Sequence, residues 1–564
     1  MKCNVALEVC EDEHLTTDML TLLVIGSGLW LCCRILRAHL RKGDIPNAFP
    51  LAHLAPFAYW WAVWKRTEVR TIHHGHYPPG SGACRNVVRV APGFYSFCRL
   101  PDVQKIYDHS KDTDVYKTRF YENVFSHPGL AHTAFEMRDA RDAERRKKQT
   151  GHFLRLTGES IKRLEHRTHD TCQQLSSILT IAADSGTPAD LYDVLGSTFV
   201  KLCLDFMLYP KFAPSLLIEQ DKGKSWMAEI EAGYNALPWS QLRLWSSTGQ
   251  RWGSEIDKWC YERCSEALKE EAPHPRIVHS LLQNCIESDD MQRREVEYDK
   301  IAAIAAAEVA DDAVAGHLCC LSTAQTLYRL ADNPIWQERV RDEIRRIVSE
   351  RQIQDCYLQK ETLEKFQILF AVLWETFRMS PPVSGLQPRI ICSKNSGFSI
   401  EHPIEPGSVI GSQAYTVNRD PTVFENPDKW DPSRWIGIKP DIKRRMEKSM
   451  FTFSRGRRGC AGQKLAEYLC SAVVAHIITQ YKLSCTEQNS SNGMKTSTSL
   501  EIKNHILERI GMADSLRKLL WQSTAETAVV RTHKLFRQRS LQGSSPIMSQ
   551  FRVDTNNMAC QTET

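Results

Sequence analysis

The sequence contains no CxxC pair, no long block of basic residues and no internal repeat. Each absence removes a class of protein. Nineteen cysteines are many, but they are scattered through the chain and form no compact secreted disulfide framework. They read as reduced, mostly buried thiols of a cytosol-facing protein. A formal net charge of +5, left over from 72 basic and 67 acidic residues, gives little support to nucleic-acid binding. No basic residues stand just before the first apolar run, as they would in a cleaved signal peptide. The length of 564 residues accommodates one large helical domain with an anchor as readily as three small domains.

That first apolar run is "MLTLLVIGSGLWLCC", Met19 to Cys33, without a single charge. Glu11, Asp12, Glu13 and Asp18 precede it, and Arg34, Arg37, Arg41 and Lys42 follow. The run is short for a span, but Arg34 can snorkel to the interface and Ile35 and Leu36 extend it. The order of charge predicts an uncleaved transmembrane anchor over 19–37, with residues 1–18 lumenal and the remainder cytosolic. Pro46, Pro50 and Pro56 mark a stiff linker over 38–60, and "FAYWWAVWKR" reads as an aromatic segment near the bilayer surface.

The main body, 61–485, begins with strand character around Asn86 to Phe97 and then turns helical. Helical periodicity is plainest over Asp190–Leu208, Trp252–Glu271, Ile301–Leu330, Pro334–Val348 and Thr362–Met379. In the last of these, Glu361, Glu364 and Arg378 suit the dipole at the two ends. Strand and turn signals return between Pro381 and Thr416. The order predicts a mainly α domain with small β-sheets, an α+β fold. Residues 486–564 form a polar, atypical tail with a possible helix over Ile502–Trp521 and an expected disordered end.

One stretch carries the chemistry. In "FSRGRRGCAG", Phe453, Gly456, Arg458, Cys460 and Gly462 stand in the pattern FxxGxRxCxG, directly before an amphipathic helix with Leu465, Leu469, Ala472, Val473 and His476 on one face. A metal-binding thiolate benefits from backbone N–H donors and from the positive end of a helix, and glycines let the backbone turn tightly around it. In this pattern the chain resembles the cytochrome P450 family, the haem-thiolate enzymes. The resemblance runs roughly from Pro46 to Lys482. It implies the cytochrome P450 fold, haem b (iron protoporphyrin IX) ligated by Cys460, Phe453 shielding the sulfur, Arg458 on a haem propionate, and Gly462 in the cofactor cradle. A thiolate ligand pushes electron density onto the iron and favours O–O cleavage.

Other positions extend the resemblance. In "LWETFRMSPP", Glu375 and Arg378 are three apart on a helix, within ion-pair reach, and Arg434 in "NPDKWDPSRW" matches the third member of the family's structural Glu, Arg, Arg set. Arg389 in "QPRI" stands where a second propionate partner is often kept, and Arg145 in "RDAERRKK" is a third candidate, with a solvated basic helix face as the competing reading. Arg146, Lys147 and Lys148 offer a basic surface for an acidic flavoprotein. The run His73 to His76, "HHGH", has no partner ligands and reads as solvated loop rather than metal site.

The resemblance also breaks down in places. In the nearly apolar central helix, where most members carry a small-Gly-x-acid-Thr signature, this chain reads Ala315, Gly316, His317, Leu318, Cys319. The helix-opening Gly316 is kept, whereas the acid and the alcohol are not, and Cys319 is a weak donor. Asp311 and Asp312 lie about two turns earlier. Two readings stay open: a monooxygenase whose protons come by water, His317 or the substrate, or an oxygen-independent isomerase or dehydratase. A non-catalytic haem-binding partner protein is a third class. The family's closing strand hairpin has no match in Leu500 to Thr564. Subgroup resemblance is to fungal enzymes of secondary metabolism, with Tyr234–Trp245, Val314–Leu318 and Val383–Leu386 as pocket candidates by analogy. It implies an endoplasmic reticulum membrane location, electrons from NADPH through NADPH-cytochrome P450 reductase, and an apolar small-molecule substrate such as a terpenoid, polyketide or alkaloid.

Overall fold

The structure, a computed structural model, describes residues 86–108, 115–150, 154–156, 158–185, 191–208, 225–230, 254–270, 275–283, 291–350, 359–392 and 404–483, with a few isolated positions before residue 46. The expected anchor at 19–37 (save four isolated positions), linker, histidine run at 73–76, pocket segment at 234–245 and tail at 486–564 lie outside these residues. Among the described residues no helix is long and apolar enough to cross a membrane.

Near the N-terminal end of the body, alternating apolar residues form a hairpin, β1 (Val87–Ala91) and β2 (Phe94–Phe97), closed at Gly93 with φ +70. β3 (Val115–Lys117), β4 (Arg389–Ile391) and β5 (Val409–Gly411) complete one sheet in the order β1-β2-β5-β4-β3. Only β2 and β5 run parallel, in register Phe94 with Val409; the other pairs are antiparallel. The sheet therefore brings Lys117 and Arg389, paired across β3 and β4, to one place.

The helices are α1 (Leu100–Tyr107), α2 (Arg119–Phe125), α3 (Ala140–Gln149), α4 (Gly158–Ser185), α5 (Leu191–Met207), α6 (Ser254–Lys269), α7 (Arg276–Gln283), α8 (Met291–Asp332), α9 (Pro334–Glu350), α10 (Lys360–Leu363), α11 (Gln367–Met379), α12 (Ala414–Val417), α13 (Pro440–Ser449) and α14 (Gln463–Gln480). At 42 residues α8 is about 60 Å long and forms the axis of the domain. Its middle, from Ala302 to Ala313, is rich in alanine, the best helix former, and small enough to let α5 and α6 lie close along it. α14 packs against α8 from another side, and Leu465, Leu469, Val473 and Ile477 of α14 join Leu175, Leu195, Phe199 and Leu327 in the main core.

Thr362–Met379 is not one helix. The chain makes the short turn α10, breaks over Glu364 to Phe366, and starts again as α11. The cause lies in α9, where the buried carboxylate of Glu343 accepts from the backbone N–H groups of Ile368 (2.9 and 3.0 Å) and Leu369 (3.1 Å). That borrowed acid caps α11, so Glu361 and Glu364 never reach its N-terminus.

Candidate functional site

Between Phe451 and Gly462 the chain folds into a tight loop at the N-terminus of α14. Gly456, at φ +68, sits where an added Cβ would come within 2.0 Å of the Tyr107 carbonyl oxygen, so only glycine fits. Beyond this point the Cys460 N–H donates to the Phe453 oxygen (2.9 Å) and Gly459 N–H to the Gly456 oxygen (3.0 Å). Gly462 takes the N-cap position of α14. Its N–H reaches the Cys460 sulfur and favours the thiolate, but the thiol is pushed up to about 11, chiefly by burial. The sulfur is enclosed by protein yet Cys460 keeps accessible surface.

Glu375 holds this loop through a chain of hydrogen bonds. Fully buried, it accepts from Arg378 Nε (2.9 Å) and Nη2 (2.8 Å), Arg434 Nε (3.0 Å), Trp435 Nε1 (3.0 Å) and the Asp431 N–H (2.9 Å). Arg378 in turn donates to the carbonyls of Asn418 (3.0 Å), Pro427 (2.6 Å) and Lys429 (3.1 Å). Asn418 passes the order on, accepting from Phe451 N–H (2.7 Å) and donating to Thr452 Oγ1 (2.8 Å). Phe453 is then fixed edge-on against Phe377 of α11, ring centres 5.4 Å apart. A buried carboxylate with five donors on it is the arrangement in which an interior ion pair survives.

The Cys460 loop shares this region with a cluster of cations, Lys117 and Arg389 buried and Arg458 half-buried. Lys117 donates to the Phe135 carbonyl and lies over the rings of Tyr121 and Phe135, at 4.1 and 3.9 Å. Arg389 donates to Tyr121 Oη (2.9 Å) and its own neighbour's carbonyl. Arg458 donates to the carbonyls of Met137 (2.6 Å), Ala134 (3.1 Å) and Phe135 (3.1 Å). Burial, and then the charge of Arg389, hold Arg458 down to about 10, while burial and the charges of Arg458 and Arg389 pull Lys117 well below the ordinary lysine range. None of the three side chains has a carboxylate in these contacts. Buried cations held only by neutral acceptors repel one another and call for an anionic partner.

Arg145 does not belong to this cluster. Its side chain is 71% exposed and pairs with Asp142 at 3.2 Å on the outer face of α3. Arg146 takes the inward position, with Nε and Nη1 buried and without hydrogen-bond partners, facing the charges of Glu308 and Glu136. The spacing held the clue: Ala140 and Ala143 mark the apolar side of α3, and 146, not 145, continues it at intervals of three. Lys117 gave no such sign, since a lysine at the end of a short strand is ordinarily solvated. The donor set fits haem: one accessible cysteine sulfur, a guanidinium with two buried nitrogens left unpaired, and buried or half-buried cations suited to two carboxylates.

The residues expected on the distal side are placed differently. Gly316 is pressed onto α5, where an added Cβ would lie 3.0 Å from both the carbonyl carbon and oxygen of Phe199. Its place on α8 is thus accounted for by helix packing. His317 is buried against Tyr192 of α5, 3.3 Å from its hydroxyl, and burial holds it down to about 4, neutral at physiological pH. Cys319 lies against Cys470 of α14, and this contact, then burial, raises its pKa far above the ordinary thiol range. Asp311, Asp312 and Ala315 are half-buried. Asp312, then Asp311, are close enough for their charge to raise the Cys460 thiol.

Comparison with known proteins identifies the family. The family model described as cytochrome P450 matches residues 85–508. A cytochrome P450 monooxygenase of Gibberella zeae is 25% identical over 271 residues, 47% of either chain. One from Botryotinia fuckeliana is 24% identical over 286 residues, 49% of this chain and 53% of the relative. The fusicoccadiene C-8 hydroxylase of Alternaria brassicicola is 32% identical over 169 residues, 28% and 30% of the two chains. The chain thus spans about half the length of the first two relatives, 47% and 53%. With the match running through both the sheet and the Cys460 loop, the chain belongs to the cytochrome P450 family.

Proposed function

We propose that the protein is a haem-thiolate monooxygenase, anchored in the endoplasmic reticulum membrane, that oxidises an apolar small molecule in fungal secondary metabolism. The observation that carries this reading is the accessible Cys460 thiol at the N-terminus of α14, in a loop whose half-buried Arg458 lies near the buried cations Lys117 and Arg389, with two unpaired buried nitrogens on Arg146. Cys460 would ligate the iron of haem b, and the cations would hold its propionates. The bound haem supplies the oxidising chemistry, with electrons from NADPH through a reductase. Around it, Gly462 N–H stabilises the sulfur's negative charge, Phe453 restricts access to it, and Glu375, Arg378 and Arg434 keep the loop in place.

Names among the relatives support an apolar carbon skeleton as substrate: one is a fusicoccadiene hydroxylase, another an ent-kaurene oxidase. A terpenoid, polyketide or alkaloid fits that description. The run Met19–Cys33, with acids before it and bases after, supports the anchor and a cytosolic catalytic domain. Of the residues read from sequence as a basic surface for the reductase, Lys147 and Lys148 remain candidates on α3, with Lys147 Nζ reaching the Arg457 carbonyl at 3.4 Å; Arg146 turns inward, and the exposed Arg145 takes its place in the proposal.

A second reading has a specific observation behind it: Leu318 and Cys319 stand in place of an acid and an alcohol, as in an isomerase or dehydratase that does not activate oxygen. Metabolites of the producing organism with and without the gene separate the two. Monooxygenation predicts an accumulating precursor one oxygen lighter than the lost product. A precursor isobaric with the product, or differing by water, would establish the second reading. If output were unchanged when Cys460 is replaced by alanine, the protein would be a non-catalytic partner.

A further inference from the structure

Lys117 closes β3 among cations that come from other elements. Its Nζ donates to the Phe135 carbonyl oxygen, and Arg458 Nη2 donates to that same oxygen at 3.1 Å. Across the sheet its partner is Arg389 of β4. Tyr121 of α2 joins these two: its hydroxyl accepts from Arg389 Nη1 at 2.9 Å, and its ring centre lies 4.1 Å from Lys117 Nζ. One neutral carbonyl and one phenol are thus each shared between Lys117 and an arginine. Lys147 of α3 adds a further positive charge, Arg138 donates to the Lys117 backbone carbonyl at 3.1 Å, and Asp311 of α8 is the acid whose charge opposes them. Among the described residues no carboxylate is bonded to the Lys117 amine.

Such a cluster does not hold every charge. A guanidinium keeps its proton at ordinary pH, and Arg458, although lowered, stays charged up to about 10. A buried amine gives its proton up far more readily. Lys117 is 3% exposed, and burial, then the charges of Arg458 and Arg389, pull it well below the ordinary lysine range. The uncharged amine still has N–H groups to donate to Phe135, so the contacts do not require the charge. The ring centres of Tyr121 and Phe135, at 4.1 and 3.9 Å, are nevertheless placed to favour an ammonium once an anion balances the arginines.

We propose that Lys117 is an uncharged amine in the haem-free protein at neutral pH and takes up a proton when the carboxylates of haem bind beside it, so that haem loading consumes one proton at this position. The proton comes from water, and the only bond formed at Lys117 is N–H: the amine becomes an ammonium paired with a propionate, beside Arg389 and Arg458. The bound state then holds one more proton than the free state wherever the pH lies between the free and bound pKa values of the amine. Affinity therefore falls as pH rises through that window. The proposal rests on the haem reading and deepens it.

Metal-free protoporphyrin IX carries the same two carboxylates and leaves Cys460 unligated, so it separates this step from iron binding. Full-length protein freed of haem is titrated with it at about pH 7 and about pH 9, and calorimetry in two buffers of different ionisation enthalpy counts the protons taken up. Haem is titrated in parallel; the proton that Cys460 releases to the iron is common to native protein and variants and cancels. The native protein should take up close to one proton more per porphyrin than Lys117→Met or Lys117→Arg. Its affinity should also fall more steeply with pH than theirs, by up to about tenfold per pH unit. Methionine has no proton to gain and arginine is charged throughout, so whichever variant folds decides the matter. Equal proton uptake and equal pH slopes in native and variant proteins would overturn the proposal and leave the haem reading standing. A native protein that binds neither porphyrin nor haem would sink the haem reading, and this proposal with it.

Discussion

Arg145 and Arg146 are adjacent in sequence, yet one is solvated and paired with Asp142 while the other is half-buried with two buried, unpaired nitrogens. A charge-assisted hydrogen bond is worth about 1.5–3 kcal/mol, so the two positions should part sharply in haem binding. Titration of apoprotein with haem should show Arg146→Ala weakening binding roughly tenfold or more, and Arg145→Ala leaving it nearly unchanged. Equal effects would return the role to Arg145. Glu308 makes a second residue-scale prediction. Burial raises its carboxyl from 4.5 to about 7. The folded state therefore holds this proton more tightly than the unfolded one, and the stability it contributes is complete below pH 4.5 and lost as pH rises toward 7. Glu308→Gln removes the titration, so its unfolding free energy should fall less between pH 5 and 8, by up to the order of 3 kcal/mol. Parallel denaturation curves at the two pH values for both proteins would refute this.

Among the elements, Gly316 belongs to the contact between α5 and α8. Gly316→Ala should cost about 1–3 kcal/mol of stability by overpacking, read as a lower melting temperature, with product per NADPH preserved in the protein that folds. Lost coupling at unchanged stability would return Gly316 to a place beside the reacting centre. Glu375→Gln should be more damaging, roughly 3–5 kcal/mol, because Arg378 is fully buried and would lose its counter-charge; chemical denaturation measures it. The same scale shows what could be read from sequence. α5, α6, α8 and α9 declare themselves by periodic apolar residues because each buries a face or is buried throughout. α4 goes unseen because "GESIKRLEHRTHDTCQQ" is dominated by polar residues, with Leu164, Cys172, Leu175 and Leu179 as the fully buried apolar positions among its described side chains. The break before α11 is invisible because its cause, Glu343, comes from another helix.

For the whole molecule, the FxxGxRxCxG loop and the Glu375, Arg378, Arg434 set are legible because each spacing is local or anchored by a motif. The cation cluster is not, since Lys117 and Arg389 meet only through strand pairing across the sheet. On the outer face, the basic residues of α3 predict that reductase binding weakens with added salt, and that charge reversal of Lys148 weakens it further at low ionic strength. Salt-independent binding would move the docking surface elsewhere. The central claim, that Cys460 ligates haem within this site, is tested most directly by the carbon monoxide difference spectrum of the reduced, haem-loaded protein. The account predicts the red-shifted band of thiolate ligation in the native protein and its loss in Cys460→Ala. The same band in both proteins, or in neither, would contradict it.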